Sequence, residues 1–351
     1  MGGFPMTAPR IIFAPAAGEG VGGGHVMRCM ALAQALAARG ADCAFAVNAA
    51  GEAILNRFSD RSWPIAPIDT PADMLVLDDY DMAAGREARL KEHARLLGVI
   101  DDLADRPHLA DVLVDPGDGR EPGHYAGLLP EEARVLTGSS YALIRAAFVE
   151  ARSQRPTTVK PEIERVFVSF GLSDVGGVTA RAVALLAALA PDAAIDVALP
   201  SHSESLNRIA ALIPVRPGLT LHLDAIDVAG LLLRADVAVG AGGASTWERC
   251  CLGVPSIAVA VAENQRELVA QLADTGVVLG IPYTPSTGTP LSRGAETFED
   301  ALGSAFLKLR DPALRQRLAD ASFAACDGLG ARRVAEVMLA QISRTRSLSG
   351  S

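Results

Sequence analysis

A histidine stands where a glycine-rich loop runs into a helix near the start of the chain. The stretch GEGVGGGHVMRCMALAQALAARG, residues 18–40, follows the apolar run IIFAPA, and helix formers extend from His25 to a closing Gly40. The positive end of a helix dipole disfavours an imidazolium, so His25 is expected to be a neutral base at pH 7. The glycines let a substrate and its water approach closely. The alternative is a glycine turn with an exposed histidine that caps the helix.

A second glycine segment also joins a strand end to a helix start. In ADVAVGAGGASTWERCCLGVPSIAVAVAENQ, residues 235–265, a buried strand ends in GAGG and a helix is predicted to begin near Ser245. The N–H groups of Gly243 to Thr246 would then form a site for a pyrophosphate, even in an acidic protein. Glu248 has two interpretations. It either closes a capping box with Ser245 or accepts hydrogen bonds from a ribose diol.

Polar side chains follow three further predicted strands. Asn264 and Gln265 come after SIAVAVA and can point into the expected ligand site, although such residues are also ordinary in loops. Carboxylates that follow strands bind metals or catalyse in some proteins and cap helices in others. No histidine pair or DxD triad accompanies them, so no metal site is expected. The residues concerned are Asp78, Asp79, Tyr80, Asp101, Asp102, His108 and Asp111.

Short apolar runs separated by helical stretches predict an α/β protein. Runs of this kind lie on both sides of the polar, proline-bearing segment EARSQRPTTVKPEIER, residues 150–165. Buried parallel strands have this composition. We therefore expect two Rossmann-like, doubly wound domains, residues 1–155 and 160–345, that face each other across a cleft with ligands at the carboxyl ends of the strands. The helix-rich segment 298–343 is expected to close the second domain.

Composition excludes several classes of function. The 351-residue chain has a formal net charge of -9, so it lacks a basic face for nucleic-acid phosphates. The apolar runs are strand-length and the start, MGGFPMTAPR, has no apolar signal core, so neither secretion nor membrane insertion is expected. Five cysteines without CxxC spacing favour a reducing cytoplasm over a disulfide framework. No motif indicates an oligomeric state.

Four of these segments together resemble one family. GGGHVMRCMALAQAL is similar to its GxGHxxRxxxLA loop and helix, LDDY to its acid-tyrosine strand end, and YAGLLPEEARVLTGSSYALIRAAF to its GLxP and YALIRxxF segment. GAGGASTWERCCLGVPSIAVAVAENQ is similar to its nucleotide-binding helix and ENQ loop. The family comprises the flagellin-modification UDP-sugar hydrolases of pseudaminic acid biosynthesis, relatives of the lipid-II-forming N-acetylglucosaminyltransferase within the GT-B fold. The resemblance extends from about Ile11 to about Val334.

The resemblance implies hydrolysis of UDP-2,4-diacetamido-2,4,6-trideoxy-β-L-altropyranose to UDP and the free sugar. The anomeric C–O bond would be cleaved with inversion by a water that His25 deprotonates, without a covalent intermediate, a metal or a cofactor. Tyr80 would line the sugar pocket, Glu248 would bind the ribose, and the loop after the GAGG strand would hold the pyrophosphate. The substrate-binding residues implied by the matching motifs are Gly22, Gly24, Arg28, Tyr80, Tyr141, Arg145, Gly171, Asp174, Gly243, Ala244, Ser245, Thr246, Glu248, Asn264 and Gln265.

The chain departs from the family pattern at two strand ends. Where the family has R-x-D-x-S before its GxGH loop, Ala14 and Ala16 occupy the charged positions, so an expected polar contact to the sugar is absent. The family's GG[ST]D followed by Asn appears as FGLSDVGGV, with Leu172 for the second glycine and Gly177 for the Asn. Three alternatives stay open: a hydrolase of a different UDP-sugar, a GT-B glycosyltransferase with a UDP-sugar donor, and a catalytically silent binding protein.

Overall fold

The computed structural model describes residues 8–18, 22–59, 61–282 and 297–349. These residues form two compact units. Unit 1 consists of the described residues up to Arg145 together with those from Leu329 onward, and unit 2 consists of those from Ala146 to Gly328. Residues 19–21 of the predicted glycine loop lie outside the described residues. No helix in the described ranges is long and apolar enough to span a bilayer.

Unit 1 is built on a six-stranded sheet in the order β2-β1-β3-β4-β5-β6, with every pair of neighbours parallel. Its central strands consist almost entirely of buried residues, as expected for a parallel sheet covered on both faces. The strands are β1 (Arg10–Pro15), β2 (Asp42–Phe45), β3 (Ala72–Asp78), β4 (Ala94–Ile100), β5 (Val112–Asp115) and β6 (Arg134–Thr137). The helices are α1 (Gly24–Ala37), α2 (Ala49–Phe58), α3 (Ala84–Lys91) and α12 (Gly330–Ser349).

Unit 2 has a second six-stranded parallel sheet, in the order β12-β11-β10-β7-β8-β9. Its strands are β7 (Arg165–Ser169), β8 (Ala194–Leu199), β9 (Leu219–Leu223), β10 (Val237–Ala241), β11 (Ser256–Val259) and β12 (Leu279–Ile281). Its helices are α4 (Ala146–Arg152), α5 (Val178–Leu189), α6 (Leu206–Ala210), α7 (Val228–Arg234), α8 (Ser245–Cys251), α9 (Arg266–Asp274), α10 (Phe298–Lys308) and α11 (Pro312–Ala325).

Each sheet has a point where the chain changes direction across the sheet. In unit 1, β1 lies between β2 and β3, and in unit 2, β7 lies between β8 and β10. Loops that leave the carboxyl ends of two such neighbouring strands diverge, and the space between them is the usual ligand site of a doubly wound sheet. Four of the predicted motifs lie at these strand ends: GGGH follows β1 and LDDY ends β3 in unit 1, and FGLSD follows β7 and GAGG ends β10 in unit 2.

The expected domain boundaries are wrong at two places. Helix α12 was expected to close the second domain but belongs to unit 1, because Val334, Ala335 and Met338 are part of the unit 1 core with residues of α1. Helix α4 was expected in the first domain but belongs to unit 2, where Arg152 donates to the carbonyl groups of Cys251 and Cys326. An apolar helix face indicates that a helix is covered, but not which of two sheets covers it.

The glycine that begins α12 allows close contact with the chain segment after β6. A Cβ at Gly330 would overlap the backbone of Ala142. Gly330→Ala is therefore expected to lower the free energy of unfolding of unit 1 by about 1–3 kcal/mol. We would measure urea denaturation by fluorescence in a Trp247→Phe background, so that buried Trp63 reports on unit 1.

The matched control is Gly85→Ala in α3, where a Cβ would meet no atom within 4 Å. That change should leave unit 1 equally stable or slightly more stable, because alanine favours a helix. Equal midpoints for the Gly330→Ala variant and its parent would contradict the packing argument.

Candidate active site

His25 lies in the first turn of α1, directly beside the end of β3. Its ring is 6% exposed, and Nδ1 lies 2.5 Å from Oδ1 of Asp78, the last residue of β3. Gly22, in the turn before α1, has a φ of +72°, a conformation that favours glycine, whereas a side chain at Gly24, the first residue of α1, would meet only open space. The predicted position of His25 in the helix is confirmed.

Arg28, one turn further along α1, binds the same carboxylate from its other side. Its Nε donates to Asp78 Oδ2 at 2.7 Å and its Nη2 to Oδ1 at 2.6 Å. The third nitrogen, Nη1, donates to Asp102 Oδ2 at 2.9 Å, just after β4. Tyr80 contacts both Asp102 and His25. Its hydroxyl donates to Asp102 Oδ1 at 2.7 Å, and its ring packs edge-on against the His25 ring. We call these five residues the His25 cluster.

The charges of the His25 cluster fix its hydrogen bonds. Burial alone would raise the pKa of Asp78, but the adjacent guanidinium of Arg28 and the ring of His25 outweigh it and hold that pKa well below its usual range. An ionised Asp78 only accepts hydrogen bonds, so Nδ1 of His25 carries the proton. The lone pair of the neutral ring is then on Nε2, which has no hydrogen-bond partner in the described part of the chain. This is the arrangement of a general base held by a carboxylate.

Asp101 and Asp115, at the ends of β4 and β5, are paired with cations or hydroxyls, and so is the nearby Glu87. Asp101 lies 3.0 Å from Arg106 Nη1, and His108 Nδ1 lies 2.6 Å from Glu87. The Tyr125 hydroxyl lies 3.0 Å from Asp101 and from Asp115, the last residue of β5. No group of three or more metal-ligating side chains occurs within the residues that the structure describes. Asp111, by contrast, holds Lys91 at 3.0 Å, away from these strand ends.

In unit 2, the chain after β10 turns sharply into the short helix α8. The helix begins at Ser245, its N-cap is Ala244, and no side chain caps it. The capping-box interpretation of Ser245 and Glu248 is therefore wrong for this helix. The N–H groups of Gly243, Ala244 and Ser245 have no acceptor among the described residues. They are donors available to an anion.

Thr246 does not contribute to these donors. It is fully buried, its N–H donates to the carbonyl of Gly243 at 2.9 Å, and its hydroxyl lies 3.3 Å from the carbonyl of Ala241. Because this N–H is already hydrogen-bonded in the turn that starts α8, Thr246 is not an open donor. The predicted donor set of four residues is therefore reduced to Gly243, Ala244 and Ser245. Gln265 lies on the other side of the loop. A Cβ at Gly243 would be 3.3 Å from Gln265 Nε2, while the preceding Asn264 is exposed.

The loop after β7 is shaped by left-handed residues. Gly171 has a φ of +90°, and Asp174 has a φ of 40°, which is uncommon for a residue with a Cβ. Asp174 is 2% exposed, and its carboxylate accepts hydrogen bonds from Thr179 and from Ser203. The structure thus gives Asp174 the role of joining this loop to α5 and to the loop after β8, with both carboxylate oxygens already occupied. Its predicted role was substrate binding.

Tyr141 and Arg145 follow β6, three strands away from β3 in the sheet order. Both side chains are half-buried, and Tyr141 packs against the unit 1 core. The carbonyl of the neighbouring Ser140 accepts a hydrogen bond from Arg333 of α12 at 2.9 Å. The structure therefore does not place these two residues in the His25 cluster. Their substrate-binding role remains a prediction.

Sequence comparison gives two known relatives, while no protein-family model matches the chain. SpsG, a spore coat polysaccharide biosynthesis protein of Bacillus subtilis, is 28% identical over 158 residues, which is 42% of this chain and 44% of SpsG. The match thus spans less than half of that relative. The UDP-2,4-diacetamido-2,4,6-trideoxy-β-L-altropyranose hydrolase of Campylobacter jejuni is 22% identical over 214 residues, 60% of this chain and 74% of the hydrolase.

Structural comparison covers nearly the whole chain. MurG of Acinetobacter baumannii gives a TM-score of 0.60 at 17% identity and covers 94% of this chain and 99% of MurG. MnaA of S. aureus, solved with UDP, gives a TM-score of 0.61 at 13% identity. The match covers 94% of this chain and 95% of MnaA. Glycosyltransferases and UDP-N-acetylglucosamine 2-epimerases recur among the similar structures. The fold is of the GT-B type.

The GT-B fold confirms the expected α/β class with two parallel, doubly wound sheets. Three side chains that contact the predicted site residues were not themselves predicted as site residues. Asp78 orients His25, Asp102 joins Arg28 to Tyr80, and Arg249 lies beneath the loop after β10. The position of both aspartates directly after apolar runs was the available signal. Which residues these aspartates contact depends on the order of the strands in the sheet, and that order could not be predicted from the sequence.

His108 gives unit 1 a stability that depends on pH. Burial would lower its pKa, but the carboxylate of Asp101, 3.8 Å from Nε2, and that of Glu87, hydrogen-bonded to Nδ1, raise the pKa to about 9, above the ordinary 6.5. The stabilisation by protonated His108 is therefore complete below about pH 6.5 and is lost as the pH rises through 9. His108→Gln should lower the free energy of unfolding by about 3–5 kcal/mol at pH 6, since it leaves the buried carboxylate of Glu87 without its cation.

The measurement is urea denaturation of wild type and the His108→Gln variant at several values from pH 6 to pH 10, with exposed His93→Gln as the control. The difference between wild type and the His108→Gln variant should shrink at the alkaline end. A difference that stays constant over this range would show that the proton on His108 does not contribute.

Proposed function

We propose that the protein hydrolyses a UDP-linked 2,4-diacetamido-2,4,6-trideoxyhexose, with the L-altrose form as first candidate, to UDP and the free sugar with inversion. The observation that carries the proposal is the pair His25–Asp78, in which a carboxylate holds Nδ1 and leaves Nε2 open. The similarity to the Campylobacter jejuni hydrolase supports the choice of reaction and of sugar. The free sugar would serve pseudaminic acid-type synthesis in the cytoplasm, for flagellin or another surface glycan.

The reaction needs one base and one good leaving group. His25 Nε2 takes a proton from water while the water oxygen bonds to the anomeric carbon. The bond from that carbon to the diphosphate oxygen breaks, and UDP departs with the electron pair. Attack from the face opposite the leaving group inverts the anomeric centre. Asp78 stabilises the imidazolium that forms, and Arg28 keeps Asp78 ionised throughout.

Unit 2 would bind the UDP part of the substrate. The unpaired N–H groups of Gly243, Ala244 and Ser245 suit a diphosphate, which accepts several hydrogen bonds at once. Gln265 lies beside the same loop and would reach the diphosphate or sugar together with Asn264. Glu248 would accept hydrogen bonds from the ribose hydroxyls. Since no side chain caps α8, a capping box does not compete with this role.

Unit 1 would bind the sugar around the His25 cluster. Tyr80 packs edge-on against the His25 ring, so it would limit how the sugar approaches the base. Ala14 lies at the end of β1 in an apolar cluster with Leu75 and Leu77. It offers no polar atom at the position where the family has a charged residue. We therefore propose that the sugar is held with fewer charged contacts on the β1 side.

The deciding experiment is proton and phosphorus NMR of the protein with UDP-2,4-diacetamido-2,4,6-trideoxy-β-L-altropyranose, with chelator and without an acceptor. We expect UDP and a free sugar that first appears as the inverted anomer. UDP release that requires an added acceptor would support a glycosyltransferase instead. UDP binding without turnover of any related UDP-sugar would support a silent binding protein.

His25→Ala should reduce the rate of hydrolysis by about 10²–10⁴-fold, because general base catalysis contributes that much. UDP affinity should stay within about twofold, since the base acts on water rather than on the uridine nucleotide. The rate is followed by NMR and the affinity by calorimetry. His93→Ala, an exposed histidine of the same unit, is the control and should behave like wild type. Near-normal turnover of the His25→Ala variant would exclude this mechanism.

Glu248→Ala should weaken UDP binding by about 1–3 kcal/mol, the cost of leaving buried polar partners unpaired. The midpoint of thermal unfolding should fall only slightly, because Glu248 is not a cap of α8 but an acidic side chain in its first turn. Calorimetry with UDP and a thermal melt of the free protein measure both quantities. Glu267→Ala, in the first turn of α9, is the matched control. A clearly lower melting temperature with unchanged UDP affinity would show that Glu248 stabilises the fold and does not bind the ribose.

A further inference from the structure

Arg249 is a buried cation directly beneath the loop that follows β10. Its side chain belongs to α8, and the residue is 3% exposed. Its Nη2 donates to the carbonyl of Ala241 at 2.8 Å and to the hydroxyl of Thr246 at 3.0 Å, and its Nη1 donates to the hydroxyl of Ser245 at 3.2 Å. Nε has no hydrogen-bond partner in the described residues. The guanidinium thus contacts both ends of the loop.

No carboxylate forms an ion pair with Arg249 among the residues that the structure describes. Burial lowers the pKa of this guanidinium to about 10, although the nearby Cys250 and Glu248 side chains act in the opposite direction. Arg28, the buried arginine of unit 1, instead has both Asp78 and Asp102. Buried charges in proteins are normally paired, because an unpaired one costs several kcal/mol. The position of Arg249 beneath a loop of open N–H groups, rather than the missing ion pair alone, indicates that an anion from outside the chain binds here.

The backbone around Arg249 is shaped to admit the guanidinium. A Cβ at Gly240 would lie 3.0 Å from Arg249 Nη1 and would also overlap the carbonyl of Ser169. Glycine at position 240 therefore leaves room for the cation between β7, β10 and α8. This is the point where the unit 2 sheet changes direction, and hence the expected ligand position.

We infer that Arg249 is the counter-charge of the bound diphosphate and sets the preference of this site for a nucleoside diphosphate over the monophosphate and the nucleoside. The inference rests on the proposed function, which assigns UDP to the same loop. Arg249 acts through the loop, without touching the phosphates, so it is a positioning residue. At a few ångströms in a partly buried site, a unit charge is still a strong attraction for an anion. Its effect grows with the charge of the ligand.

The test compares the affinities of UDP, UMP and uridine by calorimetry for wild type and for the Arg249→Gln variant. We expect the Gln variant to bind UDP about 10–100-fold more weakly, UMP less affected, and uridine within about twofold of wild type. Arg249→Lys keeps the charge while it changes the hydrogen bonds, so it should retain most of the preference for UDP. If the Gln variant does not fold, the Lys variant decides, and a lost preference there overturns the inference.

Arg315 provides the matched control in the same unit. It is also fully buried and makes hydrogen bonds to the carbonyl groups of Leu309, Lys160 and Pro161. Arg315→Gln should lower the melting temperature without changing the ratio of UDP to uridine affinity. Equal weakening of all three ligands by Arg249→Gln, or no weakening, would overturn the inference. Failure of the wild type to bind UDP would instead refute the proposed function itself.

Discussion

The buried ion pair between Asp78 and Arg28 is the interaction on which the unit 1 site depends. The carboxylate at the end of β3 receives two hydrogen bonds from the guanidinium, so it remains charged inside the protein. That charge selects which nitrogen of His25 carries the proton. The same guanidinium extends to Asp102, which in turn fixes the hydroxyl of Tyr80. Without the pair, neither the orientation of the ring nor its protonation would be defined.

An acidic chain that is to bind a diphosphate has to concentrate its attraction locally. In the proposed site the attraction would come from backbone donors at Gly243, Ala244 and Ser245, with the cation of Arg249 behind them. Surface lysines would provide a diffuse field that salt screens, whereas a buried charge is screened much less. The two units thus use buried arginines differently: Arg28 forms ion pairs with Asp78 and Asp102, whereas Arg249 forms no ion pair with a carboxylate in the described part of the chain.

Sequence patterns predict the sheets well because parallel strands are buried on both faces and are therefore continuous apolar runs. They also place His25 in the first turn of α1, since a glycine loop and a helix pattern are both local. Partners that come from other strands could not be predicted. The contact from Arg28 to Asp102 depends on the neighbouring positions of β3 and β4, and Asp174 is turned inward by residues of the loop after β8. Such facts depend on topology rather than on spacing along the chain.

The return of α12 to unit 1 has a consequence for synthesis on the ribosome. Unit 2 is an insertion within unit 1, because the chain leaves unit 1 after Arg145 and re-enters it at Leu329. Domains generally fold as units in the order of their appearance. Here the first sheet emerges early, but Val334, Ala335 and Met338, which complete its core, are made only after the inserted unit. Until the inserted unit has been translated, part of the apolar surface of the nascent first unit therefore stays uncovered.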